Sequence, residues 1–462
     1  MILGLADRIA AKMGPQTLAA VYQQSPGWLV EQIRMYRFRQ TVRHAALHSD
    51  FYRRQFKLRG IDARQVRYPS DLGDFYTTPD DIVANAESFL CRPPAIVFES
   101  SGTTGKNKQV YYGRDELDEM GRVMAAGLFL MGMKPADRVA NAFDFSMWIP
   151  GMLAHVGLLA AGSFCMAFGK VDPSEVYRRL KQYRFNVVLG EPTWLIRLTE
   201  LAERDNARIQ LKLLIGGAEE MPAKAIPWMQ NVWQGAAVKM CYGSVELGSA
   251  LGYQPCSQTD GYHVDDTDFL PELYQPDADG QGEVVFTTLR RTTMPLIRYR
   301  TRDVATFISG RCPCGLPGMR MSKIRGRRDE LVVASGGNLY PLMFENIIKQ
   351  VPTLTHDWQV TFTLEGIREV LHIRVESSSS SHDTIRQAIL TQAQEQYPDL
   401  MKNLALGIFQ MRISVHPPGS LRPGRKLKRL VDLRYAQQPD AAETGDPIIN
   451  GSHVEVAREA SR

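Results

Sequence analysis

The segment from residue 100 to residue 108 concentrates side chains that can hold a polyphosphate. It contains four hydroxyl groups, two glycines and two lysines, in the order Ser100, Ser101, Gly102, Thr103, Thr104, Gly105, Lys106, Asn107 and Lys108. Glycines let the backbone approach an anion closely, and hydroxyl, amide and ammonium groups donate hydrogen bonds to phosphate oxygens. Because an apolar run at 95–98 precedes the segment, we predict a buried strand leading into a triphosphate-binding loop. A polar surface turn is the alternative.

The spacing does not fit the common P-loop, which places four residues between its glycines and then continues with Gly-Lys-Ser/Thr. Here two residues separate Gly102 from Gly105, and Asn107 follows Lys106. A kinase or GTPase interpretation therefore loses its main support.

Two later segments could complete a nucleotide site. In the first, Tyr242, Gly243 and Glu246 join an aromatic ring that could stack on a base with a carboxylate that could hold Mg²⁺. The alternative is a buried tyrosine beside a surface glutamate. In the second, Asp303 follows several arginines and could accept hydrogen bonds from two ribose hydroxyls. A structural cluster of ion pairs is its alternative.

Two other segments carry clustered charges. Residues 326–330 precede an apolar strand and then residues 335–338, so we predict a junction between domains there. Residues 422–429 form a basic loop near the end of the chain. A solvated run of charges is the ordinary explanation for such a loop.

Three cysteines and one histidine could form a metal site. Six residues separate Cys256 from His263, and Cys312 and Cys314 belong to a Cys-Pro-Cys-Gly turn. Three thiolates and one imidazole are a known ligand set for tetrahedral zinc, although this Cys-x-Cys spacing is shorter than usual. Free thiols and a core histidine are the alternative. We expect the remaining cysteines to be free buried thiols, namely Cys91, Cys165 and Cys241.

Composition limits the class of protein. The chain has 462 residues, which suits two or three domains, and 44% are hydrophobic. Its formal charge of +5 is too small for its length to indicate nucleic-acid binding. It has no run of 18 apolar residues, so we expect no membrane-spanning helix. Charge appears too early for a signal peptide, which favours a cytoplasmic location.

The elements that must position these residues alternate between strands and helices. Residues 15–60 are predicted to be helical with a break at Pro26. Short apolar runs at 186–190, 211–217 and 282–287 predict strands interleaved with helices, as in layered α/β domains. Strands within 358–376 and at 409–416, flanking a helix near 383–396, predict a small α+β module. Beyond residue 436 the polar composition predicts a loose tail.

In this order, the segments at 100–108, 242–246, 299–303, 326–329 and 422–429 resemble motifs of the adenylate-forming enzymes. That family includes acyl-CoA synthetases, nonribosomal-peptide adenylation domains and luciferases, and the resemblance covers roughly residues 20–435. The chain is most similar to the phenylacetate–CoA ligase branch. Further segments carry that similarity: 51–54, 71–81, 260–264 and 312–315.

The chain departs from the family pattern at two places. Asn107 stands where proline is common in the phosphate loop. In the terminal lysine loop, Lys426 aligns best with the catalytic lysine, but Arg425 replaces the glycine that usually precedes it. Lys428 is a conceivable substitute.

The resemblance implies a large N-terminal α/β domain at 1–328, a small mobile α+β domain at 329–436 and a flexible tail at 437–462. The large domain would contain mixed sheets flanked by helices and a small β-rich subdomain. The implied reaction joins a carboxylic acid to ATP as an acyl-adenylate. A thiol, usually that of coenzyme A, then takes the acyl group.

The resemblance also implies roles for individual residues. The catalytic residues would be Lys426, Glu246 and Thr104, the last two holding Mg²⁺. Asp329 would be the hinge about which the small domain turns. ATP, AMP and coenzyme A would be bound by Ser100, Ser101, Gly102, Thr103, Gly105, Lys108, Gly217, Ala218, Glu219, Tyr242, Gly243, Asp303, Arg327 and Gly336. Relatives of the phenylacetate–CoA ligase branch carry ligands at places matching Cys256, His263, Cys312 and Cys314, which favours structural Zn²⁺.

The acid would lie between two segments that each contain a tryptophan. Its predicted pocket comprises Trp148, Ile149, Glu191, Pro192 and Trp194. Two indoles favour a flat aromatic acid, such as a benzoic, phenylacetic or fused-ring acid. Both tryptophans could instead belong to the core.

Rival interpretations remain open. Transfer to the thiol of an acyl carrier protein or to an amine is one, and a nucleotide-binding protein without turnover is another. A homodimer is also open, whereas nucleic acid and membrane are not expected as partners.

Overall fold

The computed structural model describes residues 2–100, 107–257, 261–328, 331–421, 428–434 and 449. The helices in these ranges are α1 (Ile2–Ala10), α2 (Pro15–Gln24), α3 (Gly27–His48), α4 (Asp50–Arg59), α5 (Pro79–Asn85), α6 (Arg114–Leu130), α7 (Ile149–Ala160), α8 (Pro173–Tyr183), α9 (Pro192–Arg204), α10 (Ala225–Val232), α11 (Pro341–Lys349), α12 (His382–Gln396) and α13 (Pro398–Ala405). Two 3₁₀ turns lie at Pro69–Leu72 and Ala86–Phe89.

The strands of the first part of the chain are β1 (Ile96–Ser100), β2 (Lys108–Tyr112), β3 (Arg138–Asn141), β4 (Phe164–Ala167), β5 (Val187–Gly190), β6 (Leu213–Gly216), β7 (Ala237–Ser244), β8 (Ser249–Tyr253), β9 (Gly261–Val264), β10 (Phe269–Tyr274), β11 (Gln281–Thr288), β12 (Tyr299–Ile308), β13 (Arg320–Ser322) and β14 (Gly326–Arg327). Those that follow are β15 (Val332–Ala334), β16 (Gly337–Leu339), β17 (Leu354–Glu365), β18 (Arg368–Ser377), β19 (Gln410–His416) and β20 (Leu430–Asp432).

The N-terminal helices follow the predicted pattern. Pro26 lies between α2 and α3 as the N-cap of α3, which confirms the predicted break. The Ser49 side chain accepts a hydrogen bond from the Tyr52 amide and so caps α4. Gly60 ends α4 in the left-handed conformation, with φ of 65°, which glycine adopts without a steric penalty.

One large mixed sheet positions most of the candidate residues. Its strand order is β10-β11-β12-β13-β9-β8-β7-β6-β5-β3-β4, and β14 pairs with β12. Strands β3 to β7 pair in parallel and are connected by helices α7 to α10, whereas β7 pairs antiparallel with β8. Strands β5, β6 and β11 correspond to the predicted apolar runs. Strands β5 and β6 alternate with helices, which confirms the predicted α/β layers, whereas β11 lies between the antiparallel strands β10 and β12.

The central strands of a parallel sheet are buried because helices cover both of its faces. Every residue of β5 and β6 is buried, and both strands end in glycine, at Gly190 and Gly216. Strand β7 continues beyond them to Ser244. The carboxyl ends of these three strands therefore form one edge, which is where ligands bind in open α/β sheets.

The C-terminal part of the chain forms a second, smaller unit. Its four-stranded sheet has the order β19-β18-β17-β20. Strands β17 to β19 and helix α12 match the predicted α+β pattern, and the structure adds α11 and α13, which were not predicted. We call residues 331–421 and 428–434 the C-terminal module. Ile449, where the composition predicts a loose tail, is instead buried and exchanges two backbone hydrogen bonds with Met411 of β19.

The domain boundaries at 328 and 436 stay predictions, and the predicted hinge Asp329 lies outside the described residues. None of the helices in the described ranges combines the length and apolarity that crossing a bilayer requires.

Candidate functional site

The β1–β2 hairpin presents the two ends of the predicted phosphate loop. Ser100 ends β1 and faces Lys108 at the start of β2. Both residues are buried, whereas the alternative interpretation of a polar surface turn requires exposed residues. The intervening residues of the prediction lie outside the described part of the chain: Ser101, Gly102, Thr103, Thr104 and Gly105.

Glu246 joins both ends of this loop. The Lys108 ammonium lies 2.6 Å from Oε1 of Glu246, and the Ser100 hydroxyl donates to the same oxygen across 2.8 Å. The Ser244 hydroxyl donates to Oε2 across 2.5 Å. Burial would raise the pKa of Glu246, but the charge of Lys108 and the hydrogen bonds from Lys108 and Ser244 lower it to about 2. Glu246 is therefore a buried, ionised carboxylate, not the surface glutamate of the alternative interpretation.

Tyr242, Asp303 and Arg327 form a second group at the end of β7. The Tyr242 hydroxyl donates to Oδ2 of Asp303 across 2.6 Å, and Arg327 forms an ion pair with Oδ1. Strand β14 pairs with β12 so that Arg327 lies directly opposite Asp303. Burial is the main cause that raises the pKa of Tyr242 well above its usual value, and the negative charge of Asp303 adds to it. The hydroxyl therefore remains protonated and donates its hydrogen bond. Gly243 follows at a β-bulge and is exposed.

The predicted adenine-pocket residues follow β6 at the same sheet edge. Gly217 lies so close to β7 that a Cβ atom there would be 3.5 Å from the Cys241 carbonyl oxygen. Ala218 has a φ of 73°, and Glu219 is buried and accepts a hydrogen bond from the Thr193 hydroxyl across 2.8 Å. Burial is the main cause that raises the pKa of Glu219, and the nearby carboxylate of Glu191 adds to it.

The predicted acid-pocket residues lie at the starts of two helices. Half-buried Trp148 occupies the N-cap position of α7, which begins at Ile149, and Glu191 occupies that of α9, which begins at Pro192. Trp194 is completely buried, and its indole N–H donates to the Val171 carbonyl across 2.8 Å. Trp194 therefore lies in the core, as the alternative interpretation expected. Its contact with the acid stays a prediction.

Gly336 reaches the large sheet from the C-terminal module. It forms the β15–β16 turn together with Ser335, and their φ values of 74° and 56° are typical of a type I′ hairpin turn. The Lys170 ammonium donates to the Gly336 carbonyl across 2.7 Å and lies 2.6 Å from a carboxylate oxygen of Glu191. A Cβ atom at Gly336 would lie 2.7 Å from the Lys170 ammonium, so a side chain at this position would require the end of the Lys170 side chain to move.

The four predicted metal ligands converge. Their ligand atoms all lie within 4.8 Å of one another, although the residues come from three separate parts of the chain. The sulfur of Cys256 lies 3.8 Å from Nε2 of His263 and 3.7 Å from the Cys312 sulfur, and the Cys314 sulfur lies 3.7 Å from the same Nε2. A tetrahedral zinc ion with bonds of about 2.3 Å requires ligand atoms about 3.7 Å apart. The donor set and its spacing therefore fit Zn²⁺.

The sequence did not identify several residues of the site. Ser244, Lys170 and Arg291 contact predicted site residues, and Arg291 donates to the backbone carbonyl of Glu246. Ser244 could have been found because it stands between Tyr242 and Glu246. Lys170 and Arg291 stand far from their partners in sequence, and no local pattern marks them. The predicted catalytic Lys426 lies outside the described residues.

Comparison with known protein families gives two matches. Residues 77–269 match the family described as AMP-binding enzyme. Residues 336–434 match the AMP-binding enzyme C-terminal domain.

Curated relatives match over most of their length. The chain is 27% identical to a phenylacetate-coenzyme A ligase of Thermus thermophilus over 430 residues, which covers 86% of this chain and 95% of the relative. It is 28% identical to the phenylacetate-coenzyme A ligase of Escherichia coli, which covers 76% of this chain and 83% of that relative.

Solved structures share the fold. A 2-hydroxyisobutyryl-CoA ligase in its thioesterification state superposes with a TM-score of 0.76 at 23% identity, covering 90% of this chain and 92% of that one. The same ligase in its postadenylation state gives a TM-score of 0.62 at 22% identity, covering 89% and 90%.

Proposed function

The chain belongs to the AMP-binding, adenylate-forming enzymes, and we propose that it activates a carboxylic acid with ATP and transfers the acyl group to coenzyme A. The observation that carries this function is the convergence on β7. Tyr242 faces the predicted ribose ligand Asp303, and four residues later Glu246 joins the two ends of the phosphate loop. Strand β7 and the two residues that follow it thus connect the expected base end and phosphate end of ATP.

In the first step, a carboxylate oxygen of the acid forms a bond to the α-phosphorus of ATP. The bond from that phosphorus to the bridging oxygen breaks, and pyrophosphate leaves with the electron pair. Because two anions must meet, positioning and charge neutralisation carry most of the catalysis. Residues 100–108 hold the β- and γ-phosphates, Tyr242 stacks on adenine, and Asp303 binds ribose beside Arg327.

Lys426 bridges the substrate carboxylate and the α-phosphate as charge develops. Glu246, assisted by Thr104, holds Mg²⁺, which when bound supplies positive charge to the phosphates. Support comes from Glu246 itself, because its carboxylate is buried, ionised and adjacent to both ends of the phosphate loop.

In the second step, the thiol sulfur of coenzyme A bonds to the acyl carbon, the bond to AMP breaks, and the thiol proton passes to solvent. The C-terminal module turns about Asp329 to bring Gly336 to the acyl site in place of Lys426. The contact of Gly336 with Lys170 beside Glu191 supports this account, because it joins the module to the predicted acid pocket.

An aryl acid is the substrate class we propose. Two relatives are named phenylacetate-coenzyme A ligases, and half-buried Trp148 offers an aromatic face at the start of α7. An acyl carrier protein as acceptor and a homodimer stay predictions.

We also propose that Zn²⁺ is held by Cys256, His263, Cys312 and Cys314. With four protein ligands the site would be structural, and it would join the segment after β8, strand β9 and the β12–β13 connection. Its support is the convergence of the four ligand atoms within 4.8 Å, with three of their separations at 3.7–3.8 Å.

The test is acid-dependent exchange of labelled pyrophosphate into ATP, followed by thioester formation with coenzyme A, across a panel of aryl and fatty acids. We expect Lys426→Ala to abolish exchange and Lys428→Ala to retain it. Loss of exchange in Lys428→Ala alone would move the catalytic role to that residue. ATP binding without exchange for any acid would favour the nucleotide-binding protein without turnover.

A further inference from the structure

Helix α9 of the large unit contacts the C-terminal module through an ion pair. The Arg368 guanidinium, at the start of β18, lies 2.6 Å from Oε2 of Glu200 on α9. The two side chains retain 35% and 18% of their exposure. This contact joins residues 168 positions apart.

The same helix has further contacts with the module. Glu191, the N-cap of α9, binds Lys170, which donates to the Gly336 carbonyl. In the middle of the helix, a Cβ atom at Gly407 would lie 3.4 Å from the Arg197 side chain. Helix α9 is therefore the surface on which the module rests when Gly336 lies beside Glu191.

We propose that Glu200 and Arg368 form a latch that holds the module in the arrangement for acyl transfer to coenzyme A. They are positioning residues: neither belongs to the predicted nucleotide or acid sites, and they act through the placement of Gly336. This inference rests on the proposed function. It predicts that breaking the latch slows acyl transfer and leaves adenylation unchanged.

The charges suit a contact that must open in every cycle. Arg197 also binds Oε2 of Glu200, at 3.0 Å, from one turn earlier on α9. When the module leaves, Glu200 keeps this partner and no unpaired carboxylate remains. Because both latch residues are partly exposed, salt should weaken the ion pair.

The principal test compares the two half-reactions in Arg368→Ala. With the most active acid of the panel, we expect pyrophosphate exchange within twofold of wild type and thioester formation about two- to fivefold slower, the scale of one partly exposed ion pair. Arg412→Ala is the matched control, because it removes an ion pair with Glu365 inside the module. Equal loss of both half-reactions in Arg368→Ala, or unchanged thioester formation, would overturn the latch.

A double-mutant cycle separates the latch from general effects. Glu200→Gln and Arg368→Ala should each slow thioester formation, and the double variant should be no slower than Arg368→Ala alone. Additive losses would contradict direct coupling. The difference between wild type and Arg368→Ala should also shrink in high salt.

A cross-linking measurement tests the latch without any acid substrate. Its outcome therefore does not depend on the proposed function. In Glu200→Cys/Arg368→Cys, a short bis-maleimide should join the two positions in the free protein, detected as a cross-linked peptide by mass spectrometry. Glu200→Cys/Arg412→Cys is the control and should give none. If no acid supports exchange, the proposed function fails while this cross-link still tests the contact. Absence of the 200–368 cross-link would overturn it.

Discussion

The Tyr242 hydroxyl lies 2.6 Å from a carboxylate oxygen of Asp303, although 61 positions separate the residues along the chain. Arg327 pairs with the other oxygen of the same carboxylate. Strands β7, β12 and β14 supply one residue each, so the orientation of Asp303 is set by its neighbours on separate strands. A carboxylate held in this way is prepared to accept hydrogen bonds from a diol such as ribose.

We predict that Tyr242→Phe raises the KM for ATP about tenfold and changes kcat less. The variant keeps the aromatic ring but removes a hydrogen bond to a charged group, which contributes about 1.5 kcal/mol or more. Initial rates of pyrophosphate exchange at varied ATP measure this effect. Tyr22→Phe is the control, since it removes a hydroxyl that donates to the carboxylate of Asp266 in a different part of the chain. Equal KM values for the two variants would remove Tyr242 from the nucleotide site.

Acid should remove the stability that ionised Glu246 provides. Its pKa falls from 4.5 in the unfolded chain to about 2 in the folded protein, so this contribution is complete above pH 4.5 and disappears as pH falls through about 2. Its upper size is about 3 kcal/mol. Between pH 5 and pH 2, the free energy of unfolding should fall less in Glu246→Gln/Lys108→Met than in wild type. Urea unfolding at a series of pH values measures this, and parallel profiles would contradict it.

Gly336→Ala should separate the half-reactions. Alanine is strained at a φ of 74°, and its Cβ would lie 2.7 Å from the Lys170 ammonium. Either the Lys170 side chain would have to leave the Gly336 carbonyl or the turn would have to withdraw from Lys170, and both disturb the contact of the turn with the acid pocket. We expect thioester formation to fall more than tenfold while exchange continues.

The control for this glycine is Gly366→Ala. Gly366 has a φ of 65° in the β17–β18 turn, but a Cβ atom there meets nothing within 4 Å. It carries the same backbone strain without the steric contact. A similar loss of thioester formation in both variants would assign the effect to strain alone.

Replacement of a zinc ligand should release the metal. We expect about one zinc ion per purified wild-type chain and almost none in Cys312→Ser, together with a lower Tm, because a structural site stabilises the segments it joins. Metal analysis by mass spectrometry and thermal unfolding measure both effects. Cys165→Ser should keep the metal, since Cys165 lies on β4 and is not part of the cluster. The site would be refuted if purified wild-type protein contained no zinc and its Tm equalled that of Cys312→Ser.

Local patterns in the sequence predicted much of the fold and several groups within the site. Hydrophobic periodicity and turn-forming residues predicted the helices around Pro26, the apolar strands β5 and β6, and the C-terminal α+β pattern. The motif residues Ser100, Lys108 and Glu246 converge as expected, and so do Tyr242, Asp303 and Arg327.

Contacts that depend on the packing of distant elements could not be predicted. The sequence allowed Trp194 to line the acid pocket or to lie in the core. Its contact with the Val171 carbonyl, which places the indole in the core, depends on folding and has no local sequence signal. Lys170 and the Glu200–Arg368 pair depend on where the C-terminal module rests, which no local periodicity encodes. Ile449 stands in a polar segment, yet it pairs with the edge of β19.

The most direct test of the account is product analysis with ATP, coenzyme A and each acid of the panel. Chromatography with mass spectrometry should detect AMP and an acyl-coenzyme A thioester in equal amounts with at least one aryl acid, and neither product with Lys426→Ala. Formation of ADP, or no acid-dependent AMP with any acid while ATP still binds, would contradict the account.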